Sequence, residues 1–469
     1  MSAPVFMWFR RDLRLQDNLA LEAALRSGQP VIPLFIFDPA ILGSQWTGVP
    51  RLAFMLKGLQ ALNESLAPYR THLWVEDGDP REVLPRLVQQ WGATALYYNR
   101  DYSPFARRRD AEIETLLDIS VHGFDDAVLH TPGTVVKADG KPYTVFTPFK
   151  KQLLTLDKRP LVEGYLDKGH FAKTKSAPLP ALHDLGFAEP NTPLPPVGEA
   201  AAHARLQAFT DNAIFDYGEG RNRLVAQPWT DTRVGSSYLS PYLRFGMLSP
   251  RQVYWQAHEV YPLAQHQAAR ESVETFVSEL IWREFYMHIL YHFPHVMGGS
   301  FRSEYDRLVW DNNPAHFAAW QVGQTGYPVI DAAMRQLQAI GWMPNRARMI
   351  VASFLTKDLL IDWRWGETHF MQWLIDGDPA ANNGGWQWSA GTGTDAQPYF
   401  RIFNPVSQSQ KFDPDGEYIR HWVPELRGVP DRYIHSPWQM TPPPADYPPP
   451  IVDHAAARAR TLAAYQAIK

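Results

Sequence analysis

One short stretch of the sequence places an acid, a base and two aromatic rings on the same side of a predicted helix. In SELIWREFY, Trp282, Arg283 and Tyr286 lie three, four and seven residues after Glu279, so the four side chains share one helical face. A Glu–Arg pair on a solvated face is the commoner meaning of such spacing. Trp and Tyr suit a solvated face poorly, and the stretch therefore favours an aromatic pocket with a polar rim.

A second stretch, GWMPNRARM, repeats this mixture of aromatic, amide and basic side chains. Trp342, Asn345 and Met349 recur at helical spacing, and Arg346 and Arg348 lie beside them. One stripe of this kind more often belongs to a core than to a site. Two such stripes in one region indicate a cavity that both of them line.

The segment DGDPAANNGGWQWSAGTGTDAQPYFRIFNP (376–405) is rich in Gly, Trp and Asn and poor in charge. Gly lets a backbone approach another group closely, and Asn offers uncharged donors and acceptors. We interpret the segment as a glycine-rich loop beside a flat, partly polar ligand. The alternative is a loop whose Trp side chains fill the core.

Hydroxyl groups are concentrated in the segment 236–240, ahead of a predicted helix. Ser236, Ser237 and Ser240 follow Gly235 closely. Hydroxyls and backbone N–H groups at the start of a helix can bind phosphate, although serines in such places are usually only caps.

The composition limits the chemistry that these residues can perform. The chain has 469 residues, a net charge of −4 and no Cys, which excludes disulfides, thiolate nucleophiles and thiolate-bound metals, and we predict no metal site. Arg10 and Arg11 interrupt the first apolar stretch, and no apolar run is long enough to span a membrane, so we expect a cytoplasmic protein. Any contact with nucleic acid must come from a local cluster of Arg.

The elements that position these residues fall into two classes along the chain. Four short apolar runs are predicted as buried parallel strands: 4–9, 31–37, 72–75 and 95–99. Three amphipathic stretches are predicted as helices: 51–66, 79–91 and 103–118. This alternation predicts an α/β N-terminal domain with a doubly wound parallel sheet over 1–130, and no GxGxxG or P-loop motif accompanies it.

The alternation of strands and helices breaks down after residue 130. The segment 177–199 is rich in Pro and predicts a linker. Helical periodicity dominates the rest of the chain. We therefore predict an interdomain linker over 131–205 and a mainly α-helical C-terminal domain over 206–469, which carries all the stretches described above.

Together these stretches resemble the DNA photolyase/cryptochrome family. WFRRDLRLQDNLAL, SELIWREFY, TGYPVIDAAMRQL, GWMPNRARMIVASFLTKDLLIDW, DGDPAANNGGWQW and YFRIFNP occur in the family's order over essentially the whole chain, and they are most similar to bacterial class I cyclobutane pyrimidine dimer photolyases. The resemblance implies an antenna-binding N-terminal domain and a monomeric enzyme that binds damaged DNA. It also implies light-dependent repair, in which photoexcited reduced FAD passes an electron to a flipped-out dimer.

The resemblance assigns roles to single residues through the matching motifs. The residues expected to form the dimer pocket are Glu279, Trp282, Asn345, Met349 and Trp388. The expected electron-transfer chain runs from Trp386, nearest the flavin, through Trp363 to Trp310. The residues expected to bind FAD are Tyr217, Ser236, Ser237, Tyr238, Leu239, Ser240, Arg348, Asp376, Gly377, Asp378 and Asn382. The residues expected to contact DNA are Arg107, Arg221, Arg283, Tyr286, Asn345, Arg346, Arg401 and Gln408.

The resemblance also implies a second, antenna chromophore in the N-terminal domain. Phe105 and Ala106 stand where folate-binding members have an Asn-Glu pair, so the carboxylate for the pterin amine of methenyltetrahydrofolate is missing. We therefore favour 8-hydroxy-deazaflavin, with an empty cleft as an equally open alternative. The residues expected to hold it are Phe35, Asp38, Arg51 and Asp101.

One departure from the family pattern and three alternative functions stay open. Pro344 stands where relatives usually have His, which puts the role of that His in doubt and predicts a change at the local helix start.

The alternative functions are a cryptochrome-type blue-light photoreceptor, a six-four photoproduct lyase and a non-catalytic FAD-binding protein. The sequence ends with DYPPPIVDHAAARARTLAAYQAIK (446–469), where photolyases also stop, while signalling members often carry an extended tail, so we expect repair rather than signalling. Asn345 and Met349, where six-four lyases use His, favour the cyclobutane dimer.

Overall fold

A parallel sheet organises the first part of the chain. The computed structural model describes residues 2–167, 169–175, 178–225, 229 and 235–468. Within these residues the sheet has the order β3-β2-β1-β4-β5. Its strands are β1 (Val5–Phe9), β2 (Val31–Phe37), β3 (Trp74–Asp77), β4 (Ala95–Asn99) and β5 (Ser120–Phe124). The chain moves outward from β1 in one direction and then in the other, which is the doubly wound arrangement predicted from the sequence.

Four of these five strands are predicted from the sequence. The bounds of β2 and β4 agree with the prediction, because both strands are continuous apolar runs in the middle of the sheet. Strand β5 is missed, since SVHGF contains polar residues and a Gly and pairs only with β4 at the sheet edge.

Helices cover the faces of the sheet and make up most of the remaining chain. The first seven described helices are α1 (Leu19–Arg26), α2 (Pro39–Leu42), α3 (Val49–Leu66), α4 (Pro80–Trp91), α5 (Pro104–Leu116), α6 (Phe146–Thr155) and α7 (Glu199–Asp211). The next six are α8 (Tyr217–Gly220), α9 (Ser240–Arg244), α10 (Pro250–Val260), α11 (Gln267–His292), α12 (Pro314–Val322) and α13 (Pro328–Ile340). The last six are α14 (Asn345–Ser353), α15 (Trp363–Trp373), α16 (Pro379–Ala390), α17 (Pro405–Phe412), α18 (Glu417–Trp422) and α19 (His454–Gln466).

The helical character of the C-terminal part is confirmed. The described residues beyond 206 contain no strand. None of the described helices combines the length and the apolar character that a membrane crossing requires. The segment 131–205 contains α6 and the first part of α7, and Phe149 on α6 lies 5.2 Å from Phe285 on α11 between ring centroids. The proposed linker is therefore packed against the helical part, while its bounds stay a prediction.

A buried ionic cluster joins the sheet domain to α10. Asp126 accepts hydrogen bonds from Arg14 at 2.6 Å and from Arg251 at 2.7 Å, and Arg251 also lies 2.9 Å from Asp17. All four side chains are almost fully buried. Removing one partner of such a cluster leaves an uncompensated charge, so the cluster fixes how the two parts of the chain meet.

The prediction of a glycine-rich loop at 376–405 is wrong over its first half, which forms α16. Asp378 caps this helix by accepting from the backbone N–H groups of Ala380 and Ala381. A Cβ atom on Gly384 would lie 2.0 Å from the ring of Tyr286. Gly384 therefore allows a close approach, as the sequence analysis expected of Gly, but the group that approaches is α11 rather than a ligand.

Candidate functional site

A cavity of about 470 Å³, here called the C-terminal cavity, lies among α11, α14, α16 and the segment 236–240. All eleven residues expected to bind FAD line it: Tyr217, Ser236, Ser237, Tyr238, Leu239, Ser240, Arg348, Asp376, Gly377, Asp378 and Asn382. All five residues expected to form the dimer pocket line the same space: Glu279, Trp282, Asn345, Met349 and Trp388. The structure therefore brings the two predicted sets together in one cavity, and its size suits a cofactor.

Asp376 lines the C-terminal cavity and carries one hydrogen-bond acceptor that no described residue uses. Its Oδ2 atom accepts from the hydroxyl of Ser240 at 2.6 Å and from the guanidinium of Arg348 at 2.8 Å. Its Oδ1 atom is buried and has no hydrogen-bond partner among the described residues. Buried acceptors are normally paired, so this atom fits a ligand that donates an N–H group.

Asn382 presents a second acceptor, and its orientation follows from its neighbours. The Asn382 side-chain amide donates to the main-chain oxygen of Glu367 at 3.0 Å, which leaves Oδ1 for the cavity that Asn382 lines. The next residue, Asn383, donates to the Glu367 carboxyl at 2.9 Å. Burial raises the pKa of Glu367 to about 7. Sequence reasoning missed Glu367, because its partners lie on another helix.

The turn 376–378 is held by two arginines, Arg11 from the N-terminal domain and Arg244 from the end of α9. Asp378 accepts from Arg11 at 2.7 Å, and the main-chain oxygen of Gly377 accepts from Arg244 at 2.7 Å. Burial raises the pKa of Asp378, but the positive charges of Arg11, Arg244 and Arg283 outweigh it and hold that pKa below its usual range. Asp378 is therefore a fixed carboxylate at neutral pH. Arg11 lies in the quoted WFRRDLRL motif, but the motif alone gives no hint of this distant partner.

The dimer-pocket residues lie on α11, α14 and α16. Glu279 pairs with Arg221, and both side chains are partly exposed. The helix α14 begins at Asn345, directly after Pro344, whose φ of −58° suits that position. Trp342 precedes the helix, so the predicted single stripe of Trp342, Asn345 and Met349 is wrong as a helical stripe, although all three residues line the cavity.

The three predicted electron-transfer tryptophans differ in burial. Trp386 is 2% exposed and lines the cavity, Trp363 is 0% exposed, and Trp310 is partly exposed. Trp386 and Trp363 belong to one hydrophobic cluster, and Trp310 packs against it. The indole nitrogens of Trp386 and Trp363 have no hydrogen-bond partner among the described residues. Trp386 and Trp363 are therefore both almost fully buried, and only Trp310, the last member of the predicted chain, is partly exposed.

Three arginines form a local basic rim beside the C-terminal cavity. Burial lowers the pKa of Arg346, and the nearby positive charges of Arg221 and Arg401 lower it further. The Arg346 guanidinium also lies 4.3 Å from the ring centroid of Phe412. Arg221 lines the cavity, as do the predicted DNA contacts Arg283 and Tyr286. A chain with a net negative charge therefore still concentrates positive charge where DNA contacts are expected.

Four of the eight predicted DNA contacts lie outside the described lining of the C-terminal cavity: Arg346 and Arg401 of the basic rim, and also Arg107 and Gln408. The guanidinium of Arg107 lies 4.0 Å from the ring centroid of Tyr291 and donates to its main-chain oxygen. Gln408 lies on α17 and is partly buried. Neither residue is among the described residues that line the C-terminal cavity.

A second cavity of about 530 Å³, here called the N-terminal cavity, lies at the carboxyl ends of β1, β2 and β4. All four residues expected to hold an antenna chromophore line it: Phe35, Asp38, Arg51 and Asp101. Crevices at this edge are the usual ligand sites of doubly wound sheets. The sequence-based position of the cleft thus agrees with the structure, and its ligand stays a prediction.

The two carboxylates expected to hold the antenna chromophore are paired with arginines in the N-terminal cavity. Asp38 pairs with Arg109 at 3.1 Å, and Asp101 pairs with Arg11 at 3.5 Å. Arg51 donates to the main-chain oxygens of three residues: Trp46, Met371 and Leu374. Arg51 therefore ties α3 to the end of α15, in addition to lining the cavity.

Comparison with known proteins gives matches over the whole chain. A family model described as "DNA photolyase" matches residues 5–164, and one described as "FAD binding domain of DNA photolyase" matches residues 276–467. The deoxyribodipyrimidine photo-lyase of Synechococcus is 44% identical, over 100% of this chain and 98% of its own length.

Solved structures of the same family have the same fold. A class III photolyase from Agrobacterium tumefaciens is 38% identical, with a TM-score of 0.88 over 100% of this chain and 98% of its own. A photolyase from Sulfolobus tokodaii, solved with two FAD molecules, is 35% identical, with a TM-score of 0.85 over 99% and 100%. A cryptochrome from Synechocystis is 31% identical, with a TM-score of 0.89 over 99% of each chain. With the matched family models, these relatives show that the chain belongs to the DNA photolyase family.

Proposed function

We propose that this protein uses light and FAD to repair cyclobutane pyrimidine dimers in DNA. The observation that carries the proposal is the single cavity in which an unpaired buried acceptor, Asp376 Oδ1, lies together with the aromatic and acidic residues Trp282, Trp388 and Glu279. One set suits a flavin and the other a flat, paired lesion. The names of the matched relatives, which include the Synechococcus deoxyribodipyrimidine photo-lyase, support the same activity.

The residues present fit FAD. Asp376 Oδ1 would accept from a ring N–H group, and Asn382 Oδ1 would accept from the N–H that a flavin carries at N5 only when it is reduced. The fixed carboxylate of Asp378 keeps the turn 376–378 in place. When bound, reduced and excited by light, FAD supplies the electron that the repair requires. The role of the protein is to hold FAD, orient the lesion and exclude water.

The lesion enters the same cavity from the basic rim. A cyclobutane dimer pairs poorly in a duplex, so flipping it out requires less energy than flipping a normal base. Trp282 and Trp388 offer flat surfaces for the two fused rings, and Glu279 can accept from their N–H groups. The rim arginines Arg221, Arg346 and Arg401 would contact the phosphates of the strand.

The N-terminal cavity is proposed to take a planar antenna chromophore, with 8-hydroxy-deazaflavin favoured over methenyltetrahydrofolate. The cavity is lined by the aromatic rings of Phe35 and Phe37 and by Phe105 and Ala106, which contribute no carboxylate for a pterin amine. The Sulfolobus tokodaii relative was solved with two FAD molecules. The reconstitution experiment in the Discussion must therefore distinguish a second FAD from 8-hydroxy-deazaflavin in this cavity.

The finer organisation belongs to the same proposal. We propose a monomer with an antenna-binding domain over 1–130, a linker over 131–205 and a catalytic domain over 206–469. The matched family models, 5–164 and 276–467, support two functional parts, because they leave a gap between them.

The experiment is a repair assay on defined DNA. The chemically reduced holoenzyme is incubated with a duplex that contains one cyclobutane dimer, under blue light and in darkness. We expect the dimer to be restored only in the light. A second duplex with a six-four photoproduct is tested alongside, and repair of that duplex alone would identify a six-four photoproduct lyase. Absence of repair on both duplexes in light would favour a photoreceptor. Equal repair in darkness would contradict the proposal.

A further inference from the structure

The indole of Trp282 is stacked on a ring that comes from outside the catalytic helices. The ring centroids of Trp282 and Phe146 are 3.7 Å apart, and the two planes differ by 8°. Phe146 begins α6, in the segment between the sheet and the helical part. Phe146 is 7% exposed and does not belong to the described lining of the C-terminal cavity, which Trp282 does line. Phe146 thus covers one face of the indole and leaves the rest of the ring to the cavity.

The other ring contacts of Trp282 are of a different kind. Tyr286 lies 5.5 Å away at an angle of 34°, and Phe285 lies 5.6 Å away at 82°. These two rings meet the indole at an angle, whereas Phe146 lies parallel to it and in contact with one of its faces. Tilting the indole toward that face would drive its edge into the Phe146 ring.

Two hydrogen bonds tie the same segment to the loop after α16. The backbone N–H of Phe146 donates to Asp395 at 2.9 Å, and the hydroxyl of Thr394 donates to the main-chain oxygen of Thr144 at 2.5 Å. Asp395 has a φ of 45°, which residues other than Gly rarely adopt and which persists only where surrounding contacts require it. The segment 144–146 therefore joins the wall that carries Trp282 to the loop that follows Trp388.

We propose that Phe146 is a positioning residue of the lesion pocket, which holds the plane of Trp282 ready for a flipped-out pyrimidine dimer. This inference rests on the proposed function, because a flat lesion is the ligand that benefits from a fixed ring. A ring that is already ordered before binding loses less conformational freedom when the lesion stacks on it. The residue acts through Trp282 and does not itself touch the lesion.

The test compares a flat and a non-flat side chain at position 146. Phe146→Leu removes the ring and keeps an apolar side chain, and Phe146→Tyr keeps the ring. Phe149→Leu is the matched control, because Phe149 lies on the same helix, is buried and contacts Phe285 and His288. Each holoenzyme is titrated in darkness with a dimer-containing duplex and with the same duplex undamaged. FAD content and the melting temperature are measured alongside.

We expect Phe146→Leu to bind the dimer-containing duplex about threefold to tenfold more weakly, in line with the loss of one aromatic pair. Its affinity for the undamaged duplex and its FAD content are expected to stay unchanged. Phe146→Tyr should restore the preference for the dimer. Phe149→Leu should lower the melting temperature and leave the preference as it is, since Phe149 reaches Trp282 only through Phe285 and does not cover a face of the indole.

Two results would overturn the inference: an unchanged preference in Phe146→Leu, or an equal loss in Phe149→Leu. Absence of any preference in the wild-type protein is a distinct result, which contradicts the proposed function and the inference with it. If Phe146→Leu does not fold, Asp395→Gly replaces it, because Gly tolerates the positive φ and removes the acceptor for Phe146. A weaker preference in Asp395→Gly supports the inference, and an unchanged one overturns it.

Discussion

The C-terminal and N-terminal cavities are similar in size but differ in what their walls leave unsatisfied. In the C-terminal cavity, Asp376 has a buried oxygen without a partner among the described residues, and Asn382 uses its amide nitrogen for Glu367, which leaves its oxygen available as an acceptor. In the N-terminal cavity, Asp38 and Asp101 each meet an arginine. The buried atoms without a partner among the described lining residues are donors there: the Nε atoms of Arg10 and Arg11 and the indole nitrogen of Trp46. A buried acceptor without a donor costs about 1–3 kcal/mol until a ligand supplies one. The C-terminal cavity therefore favours a ligand that offers donors, whereas the N-terminal cavity favours a ligand that offers acceptors.

The two cavities also share a wall. Arg11 and Arg244 line the N-terminal cavity, while their partners Asp378 and Gly377 line the C-terminal cavity. A ligand in the N-terminal cavity would therefore lie close to the groups that hold the flavin turn. The following predictions separate the two cavities, in order of decreasing effect.

The largest difference is expected from removing one carboxylate in each cavity. Asp376→Asn keeps the shape but removes the charge that Arg348 meets, and it can place an amide N–H where an acceptor is needed. We expect FAD affinity to fall by about tenfold to a hundredfold. Asp38→Asn, which keeps its helix cap, should leave FAD affinity unchanged. Equilibrium dialysis measures both, and equal losses would show that the cavities are not energetically distinct.

The next effect concerns the tryptophan at the wall of the C-terminal cavity. Trp386→Phe should slow the light-driven reduction of oxidised FAD by about tenfold or more, which corresponds to a barrier higher by about 1.4 kcal/mol. Repair by enzyme that has been reduced chemically beforehand should continue. The control is Trp365→Phe, at a partly exposed position outside the proposed chain. Absorption spectra under illumination provide the measurement, and an unchanged rate in Trp386→Phe would identify Trp386 as core packing.

A smaller effect is expected from filling the N-terminal cavity. Reconstitution with 8-hydroxy-deazaflavin at a hundred times its Kd should raise the free energy of unfolding by about 2.7 kcal/mol. The excitation spectrum for repair should then gain a band from the new chromophore. Methenyltetrahydrofolate and a second FAD are tested in parallel. Tight binding of the folate alone would contradict the interpretation of Phe105 and Ala106.

The smallest effect is a pH dependence of the protein's stability that arises at Glu367, the partner of Asn382 in the wall of the C-terminal cavity. Burial raises the pKa of Glu367 from 4.5 to about 7, so the folded state binds more protons than the unfolded state between these values. Its contribution to stability is complete below about pH 4.5 and is lost as the pH rises through 7. Glu367→Gln should therefore gain melting temperature relative to the wild type between pH 5 and pH 8. The exposed control Glu304→Gln should show a constant difference, and a constant difference in Glu367→Gln would contradict the assignment.

Much of the fold was predictable because local patterns carry it. Strands β2 and β4 are buried on both faces, so their apolar runs mark their ends without further information. The shared face of Glu279, Trp282, Arg283 and Tyr286 follows from helical spacing alone, and all four line the C-terminal cavity. The family resemblance carried the assignment of residues that no period connects, such as Trp310, Trp363 and Trp386.

The sequence-based prediction of a loop was wrong where a residue packs against an element that is distant in the chain. The Gly384–Gly385 pair suggested a loop because Gly weakens an isolated helix. The contact of Gly384 with Tyr286 reverses that inference, since the close packing of α16 against α11 outweighs the local preference.

The sequence by itself determined the two kinds of domain, the faces that line the C-terminal cavity and the family. Only the tertiary structure decided that Arg11 holds Asp378, 367 residues away, and that Phe146 backs Trp282. The physical reason is the range of the signals. Periodicity reports which side chains share a face within a few turns, whereas the partner of a charge or a ring is chosen by packing between elements that are far apart in the chain.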